Sequence, residues 1–203
     1  MSDLQPILIA RAPFTGLPTL PAAAAGVVVR DCDGLGLATV LVRKGKSEAL
    51  AQRVRERFGI ELPQGPRRTN AGGIAFAATG PGAWLATSQG GGGAFVKSLE
   101  EAIGNLASIS DQSDGYAVLN LSGPKVRPAL CKLVSIDLHP RAFQVGDVAA
   151  TVAAHIGATL WRLEDGADGS AVFEIAVFRS LAESFWGALL ESAAEFGFRV
   201  IDR

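Results

Sequence analysis

Val172-Phe173-Glu174-Ile175-Ala176-Val177-Phe178-Arg179-Ser180-Leu181-Ala182-Glu183-Ser184-Phe185-Trp186 passes from a run of β-formers into a helix start within a few residues. Val172 to Val177 reads as a strand. Asp165-Gly166-Ala167-Asp168-Gly169 before it reads as the turn of a hairpin whose other strand is Thr159 to Leu163. Ser180 and Glu183 have the spacing of a capping box, in which a hydroxyl and a carboxylate satisfy each other's backbone N–H groups. Phe185, Leu189, Ala193 and Phe196 then recur on one helical face, and Trp186 and Leu190 widen that stripe. Gly197 offers a left-handed stop before a last strand from Phe198 to Ile201. A helix with one apolar stripe, following an antiparallel hairpin, covers one face of the sheet, so the fold class is α+β.

The same two periods recur upstream. Tyr116-Ala117-Val118-Leu119-Asn120-Leu121 alternates as a strand with one buried face does. Ser122-Gly123-Pro124 opens a helix in which Pro124 suits the first turn and Pro128 kinks or shortens the run to Leu133. Val148 to Ala154 reads as a strand. In the first half, Leu35 to Val42 is a strand, and Ser47 is placed to cap a helix carrying Leu50, Val54 and Phe58 that Gly59 stops. Leu62 to Asn70, with Pro63, Gly65 and Pro66, reads as a loop. Gly73 to Ala78 and Trp84 to Thr87 read as strands, and Phe95, Leu99 and Ile103 share a face of a second helix. Three segments result: an N-terminal arm at 1–34, a first small sheet-plus-helix subdomain at 35–110, and a second at 111–203. The arm carries Pro6, Pro13, Pro18 and Pro21, then an alanine run and the short strand Val27-Val28-Val29. An arm of this kind often lies on another subunit.

Composition narrows the partners. Nineteen basic and 20 acidic side chains leave a net charge of -1, too little field to hold phosphate backbones or anionic lipid, so nucleic acid is not expected. Charged residues are 19% of the chain, below the usual ~25% of a soluble domain, and mean hydropathy is +0.27. Either the surface is more apolar than a solitary protein shows and a protein partner covers it, or alanine and glycine alone raise the index. Cys32 and Cys131 form no CxxC pair, and Met1-Ser2-Asp3-Leu4 lacks the basic and apolar blocks of an export signal. The most apolar window, Val145 to Ile156, is broken by Asp147 and His155 and falls short of the ~20 residues that span a bilayer. The expectation is a cytoplasmic protein with reduced thiols and no membrane helix.

Candidate chemistry is sparse. His139 and His155 are the only imidazoles and share no metal-ligand spacing with thiols or carboxylates. His155, on the expected strand, is either a hydrogen-bonded structural residue or a functional one, and His139 before Pro140 is a turn residue. Cys131 or Ser122 would need one of these histidines as a base, and Cys131 lies between Leu130 and Leu133, where burial keeps a thiol protonated. Glu100-Glu101 reads as a solvated helix face and Asp165 with Asp168 as a turn. Gly90 to Gly93 is either a connector or an anion cradle, without the GxGxxG spacing or the Lys-Ser that would favour the latter. Arg67 and Arg68 either clamp a carboxylate or another subunit, or belong to a solvated loop. Trp84, Trp161 and Trp186 are spaced as packing residues. From these residues alone, no catalytic, cofactor-binding or metal site is expected.

Several segments nevertheless resemble known proteins. Leu121-Ser122-Gly123-Pro124-Lys125-Val126-Arg127, and Val172 to Val177 leading to Trp186-Gly187-Ala188-Leu189-Leu190, resemble the folate-binding fold of the glycine-cleavage aminomethyltransferases. Asp111-Gln112-Ser113 with Gly115, Asp137-Leu138-His139-Pro140, Phe143 with Gly146, Thr151 with His155, Trp161, and Phe178-Arg179-Ser180 through Trp186 look like the gamma-subunit family of heterotetrameric sarcosine oxidase. The likeness is dense from Asp111 to Gly197.

The resemblance implies a complex of alpha, beta, gamma and delta subunits that oxidises sarcosine at flavin, passes the one-carbon unit to tetrahydrofolate, and yields glycine and hydrogen peroxide. It places FAD, FMN, NAD and tetrahydrofolate on other subunits and makes gamma a structural member. Where the transferases carry their acidic catalytic stretch, this chain has Gly73-Ile74-Ala75-Phe76-Ala77-Ala78, without a general acid or base. Two other readings stay open: a free-standing folate-binding or aminomethyl-transfer protein, and the gamma subunit of a related N-methyl amino acid dehydrogenase, such as one acting on N-methylglutamate.

Overall fold

The long apolar alternations of the sequence gather into two sheets, each covered on its outer face by helices. The computed structural model describes residues 12–19 and 25–201. Within them the chain runs β1 (Val27–Asp31), β2 (Gly36–Val42), α1 (Ser47–Phe58), β3 (Arg68–Ala71), β4 (Ile74–Gly80), β5 (Ala83–Ser88), α2 (Gly92–Ile103), β6 (Ala107–Asp111), β7 (Tyr116–Ser122), α3 (Val126–Cys131), β8 (Val148–Ala153), β9 (Ile156–Arg162) and β10 (Phe173–Phe178). A 3-10 turn at Arg179–Leu181, α4 (Ala182–Ala193), a second 3-10 turn at Ala194–Phe196 and β11 (Phe198–Ile201) complete it.

The larger sheet has the order β11-β1-β7-β10-β9-β8, antiparallel except for β1 beside β11. The smaller is wholly antiparallel in the order β3-β4-β5-β2-β6. Alternation assigns the faces. Leu119, Leu121, Phe173 and Ile175 point outward to Val126, Leu130, Phe185 and Leu189 of α3 and α4. Val40, Phe76 and Ala86 point outward to Leu50, Val54, Leu99 and Ile103 of α1 and α2. Full burial of each large side chain contributes roughly 1.5–3 kcal/mol. The inward positions Leu37, Ala77 and Leu85 of the small sheet meet Val118, Val148, Trp161 and Ala176 of the large one and fill the layer between them.

A seam joins the sheets at one edge. Arg68 N donates to Gly146 O at 2.7 Å and Val148 N to Pro66 O at 2.8 Å. The Arg67 guanidinium reaches the Asp147 carboxylate and donates to Val145 O at 3.0 Å. The segment entering β3 thereby covers part of the open edge of β8.

The α+β class expected from the pattern holds, and so does the β9–β10 hairpin. Several local expectations do not. Ser180 lies in a 3-10 turn, α4 begins at Ala182 after Leu181, and no side chain caps it, so the capping box does not form. Ser47 is the first helical residue of α1, not its cap. Gly197 has φ +77° with ψ 138°, a positive-φ stop outside the left-handed helical well. Leu62 to Asn70 hides the start of β3, and β6 was not expected at all. The strand read at the end of the arm, β1, lies inside the large sheet between β7 and β11. Pro6, Pro21 and most of the alanine run lie outside the described residues.

His155 also moves. Ala153 pairs with Ile156, so Ala154 and His155 form a two-residue turn at the tip of the β8–β9 hairpin, with φ of 48° and 68°. Positive φ at both positions matches the right-handed twist of the flanking strands, but an L side chain there costs roughly 1–2 kcal/mol. His155→Gly is therefore expected to stabilise the protein by about 0.5–1 kcal/mol after the extra unfolded-state freedom of glycine is subtracted. Urea unfolding with an unchanged m-value measures it; a lower midpoint contradicts the turn geometry.

Candidate functional site

Polar side chains on the inward face of the large sheet collect at the end where the seam lies. Arg30 of β1, Asn120 of β7 and Glu174 of β10 are adjacent in register, with Asn120 paired to both of the others. They line a cavity of about 760 Å3 together with Arg68 and Asn70 of β3, Gln89 and Arg162. Glu174 alternates with Phe173 and Ile175 of the outer core, so its carboxylate projects into the layer between the sheets. There Oε2 accepts from Trp161 Nε1 at 2.8 Å and Oε1 accepts from Asn120 Nδ2 at 3.3 Å. Burial pulls the Arg68 guanidinium below its ordinary range, opposed by the nearby Glu174 carboxylate.

Cys32 lies beside the same carboxylate, its Sγ 4.0 Å from Oε1. Burial, with Glu174 adding to it, pushes this thiol up to about 12. A thiol held protonated is neither nucleophile nor metal ligand at neutral pH.

A second cavity of about 850 Å3 shares Val145, Arg162, Asp168 and Ser170 with the first and extends to Gly123, Pro124, Arg127 and Phe143. Arg162, 3% exposed, separates the two. Its guanidinium donates to Leu163 O and to Val172 O and reaches the Asp165 carboxylate, which clips the base of the β9–β10 loop shut. Its Nε is buried without a partner. Arg127 and Arg162 both stand over the Phe173 ring, at 5.1 and 5.2 Å from its centre. Burial, followed by the neighbouring Arg162 charge, pulls Arg127 down. The ionised groups around both cavities are thus largely engaged in holding strands and loops. Among the described residues no group of three or more His, Cys, Asp or Glu is placed to hold a metal.

The positions singled out in the sequence fall into separate places. Asp111 accepts from Ser113 N at 2.9 Å, Ser113 Oγ accepts from Leu37 N at 3.1 Å, and Gly115 O accepts from Arg179 N at 2.9 Å, so these four tie the β6–β7 turn to β2 and β10. Gly123 and Pro124 lead into α3. Gly123 has φ +106°, and a Cβ there would stand 2.6 Å from Gly26 O, which Lys125 N already uses, so only glycine fits. Arg127 donates to Leu138 O, with Leu138 in the core, and Asp137 accepts from His139 N at 2.8 Å. Trp186 lies away from these, donating to Pro18 O at 2.8 Å, its ring tilted against Phe14 and edge-on to Phe198. Ser180 is exposed, and His155 sits on its turn.

Other readings resolve as well. Arg67 does clamp a carboxylate, that of Asp147 in the same chain. Cys131, expected to be buried, lies exposed on α3 because the apolar face of that helix is formed by Val126, Ala129 and Leu130. His139 is a turn residue whose Nδ1 accepts from Arg141 N at 3.2 Å. Glu174, Asn120 and Arg162 were not singled out in the sequence. A charged or amide residue in an otherwise apolar strand was the available signal, present in both Phe173-Glu174-Ile175 and Leu119-Asn120-Leu121.

Two outcomes test this geometry. Arg162→Leu removes two carbonyl bonds and an ion pair from a buried position, so a loss of about 2–3 kcal/mol is expected, with new proteolytic cleavage between residues 163 and 172; a loop equally resistant in the variant contradicts the clip. For Cys32, the unfolded chain releases its proton near 9.0 while the fold keeps it to about 12. Stability is therefore lost as pH rises through that window. The Cys32→Ala variant is expected to show a shallower decline in urea midpoint above about pH 9; identical declines contradict the burial.

Comparison with known proteins completes the site. The profile of the "Sarcosine oxidase, gamma subunit family" matches residues 43–195. A sarcosine oxidase subunit gamma from Arthrobacter sp. is 37% identical over 107 residues, 52% of this chain and 53% of that protein, so the match spans about half the length of that curated relative. A chain of the heterotetrameric sarcosine oxidase from Corynebacterium sp. U-96, solved in complex with pyrrole 2-carboxylate, superposes with a TM-score of 0.79 at 24% identity, over 92% of this chain and 96% of that one. The glycine cleavage system aminomethyltransferase T from Bartonella henselae superposes with a TM-score of 0.61 at 16% identity, over 88% of this chain and 48% of that one. These structural likenesses establish a shared fold.

Proposed function

Since the chain belongs to the sarcosine oxidase gamma subunit family, we propose that it serves as the non-catalytic gamma subunit of a cytoplasmic complex that oxidatively demethylates sarcosine. The complex would release glycine and hydrogen peroxide and pass the one-carbon unit on as 5,10-methylenetetrahydrofolate. Alpha, beta and delta subunits are its partners in this reading, and they carry FAD, FMN, NAD and tetrahydrofolate. The family match over residues 43–195 carries the reading. Its physical support is that polar groups between the sheets, at the seam and around the cavities are engaged in structure. Glu174 is held by Trp161 and Asn120, Arg67 by Asp147, and Arg162 by two carbonyls and Asp165. No helix among the described residues is long and apolar enough to cross a membrane.

One observation favours a second reading. The cavity of about 760 Å3 between the sheets has the size of a small-molecule pocket, roughly 300–1,000 Å3, and Glu174, Asn120 and Arg68 converge on it. A folate-binding protein would use such a space, with the Glu174 carboxylate accepting from a heterocycle N–H. The strand β4, Ile74–Gly80, supplies no acid beside it.

Two measurements separate the readings. The chain purified alone is expected to show no visible flavin absorbance and no sarcosine-dependent peroxide; peroxide from the chain alone overturns the scaffold role. Calorimetric titration with tetrahydrofolate is expected to give no heat of binding. A saturable heat that Glu174→Gln removes establishes the folate-binding reading instead.

A further inference from the structure

Two cations meet at the wall of the cavity of about 850 Å3 that adjoins α3. Sheet register brings one of them there. Phe173 pairs with Arg162, so both side chains leave the large sheet on the face that α3 and α4 cover. Arg127 comes to the same place from α3 itself, and both guanidinium carbons lie over the Phe173 ring. The charges on this wall do not balance. Arg162 is paired with Asp165 and donates to two carbonyls, so its charge is met within the β9–β10 loop. Arg127 donates to Leu138 O and forms no ion pair among the described residues. Arg162 repels the Arg127 charge more strongly than Asp165 attracts it, and burial acts in the same direction as that repulsion. Asp168, the other carboxylate on the wall, is held by its own loop, accepting from Ser170 N at 3.0 Å and from Ser170 Oγ at 2.7 Å. The wall therefore lacks one negative charge at Arg127, and the buried Nε of Arg162 adds an unmatched donor beside it.

The remainder of the wall selects what would supply that charge. Pro124, Pro140, Phe143 and Ala171 are apolar, and Phe143 lies against Phe173 with ring centres 6.3 Å apart. One missing charge suits a monoanion, and a guanidinium fork matches the two oxygens of a carboxylate. Apolar side chains beside the fork favour an organic body over a hydrated inorganic ion. The volume lies within the roughly 300–1,000 Å3 of small-molecule sites. We propose that this cavity binds a small monocarboxylate with an apolar body, its carboxylate held by Arg127 and its body against Pro124, Pro140 and Phe143. The site is distinct from the cavity that Glu174 borders, and it stands whether the chain serves as a gamma subunit or binds folate.

The test titrates the full chain with benzoate, with its neutral analogue benzamide and with inorganic phosphate, followed by amide NMR. The expected result is saturable benzoate binding with a midpoint below about 10 mM, the largest shifts falling at Gly123, Gln144 and Ser170. Benzamide lacks the charge and phosphate the apolar body, so each is expected to bind at least about tenfold more weakly. Arg127→Met is expected to lose at least about tenfold in benzoate affinity, and Gln89→Ala, on the wall of the other cavity, to lose none. Thermal unfolding confirms that each variant is folded. Should Arg127→Met fail to fold, Arg127→Lys keeps the charge without the fork and is expected to weaken binding at least about threefold. No saturation by benzoate, equal binding of benzamide, or an unchanged affinity in the Arg127 variant overturns the site. Shifts centred on Asn120 and Glu174 place the ligand between the sheets and overturn it as well. Phosphate binding as tightly as benzoate assigns an inorganic anion and overturns the carboxylate class.

Discussion

The seam between Pro66–Arg68 and Gly146–Val148 is the constraint on which the rest of the structure depends. Two backbone hydrogen bonds and the Arg67–Asp147 ion pair lock the edge of one sheet to the edge of the other. The ion pair alone would contribute little, since the Arg67 side chain is half exposed. The backbone bonds matter more, because they fix register, and register decides which residues face inward. With the seam in place, Leu37, Ala77 and Leu85 lie opposite Trp161, Val148 and Ala176, and Arg68 is carried to the cavity that Glu174 borders.

The layer so formed divides by chemistry along its length. Near the seam it holds Glu174, Asn120 and Arg30, and a carboxylate there is tolerable because two donors meet it. In the middle it is dry and closed. At the far end it opens onto Phe178 and Val152. A layer whose polar end is lined by internally paired groups and whose apolar end is open agrees with the scaffold role proposed above. Leaving the reacting groups to other chains is the functional account given above.

The sequence made the strands with an apolar run legible and hid the short polar ones. β7, β9 and β10 read as apolar runs because one face meets α3 and α4 and most of the other meets the opposing sheet. β3 and β6 were missed for a shared reason: they are the two edges of the small sheet. On β3, Arg68 and Asn70 turn toward the cavity; on β6, Ser108 and Ser110 face the open end. β3 has no apolar period, and β6 alternates over only Ala107 and Ile109, too short a run to stand out. The Ser180 and Glu183 spacing misled because the chain makes a 3-10 turn before α4, which moves the cap to Leu181. The polar cavity was illegible because its members meet only through sheet register. Asn120 and Glu174 are 54 positions apart in the chain, and no local spacing links them. The family likeness, by contrast, was legible in Gly123-Pro124 and in Phe178 to Trp186, where close backbone approach and packing dictate particular residues.

If the seam makes one cooperative body of the two sheets, the amides that form it exchange with solvent only when the whole chain unfolds. Native-state hydrogen exchange at Arg68 N and Val148 N, followed as a function of low denaturant, measures this directly. The account requires both amides to show the free energy and denaturant dependence of the slowest core amides, such as Leu119. Exchange at a markedly lower free energy with little denaturant dependence would mean that the seam opens locally, and would contradict the claim that it fixes the sheets.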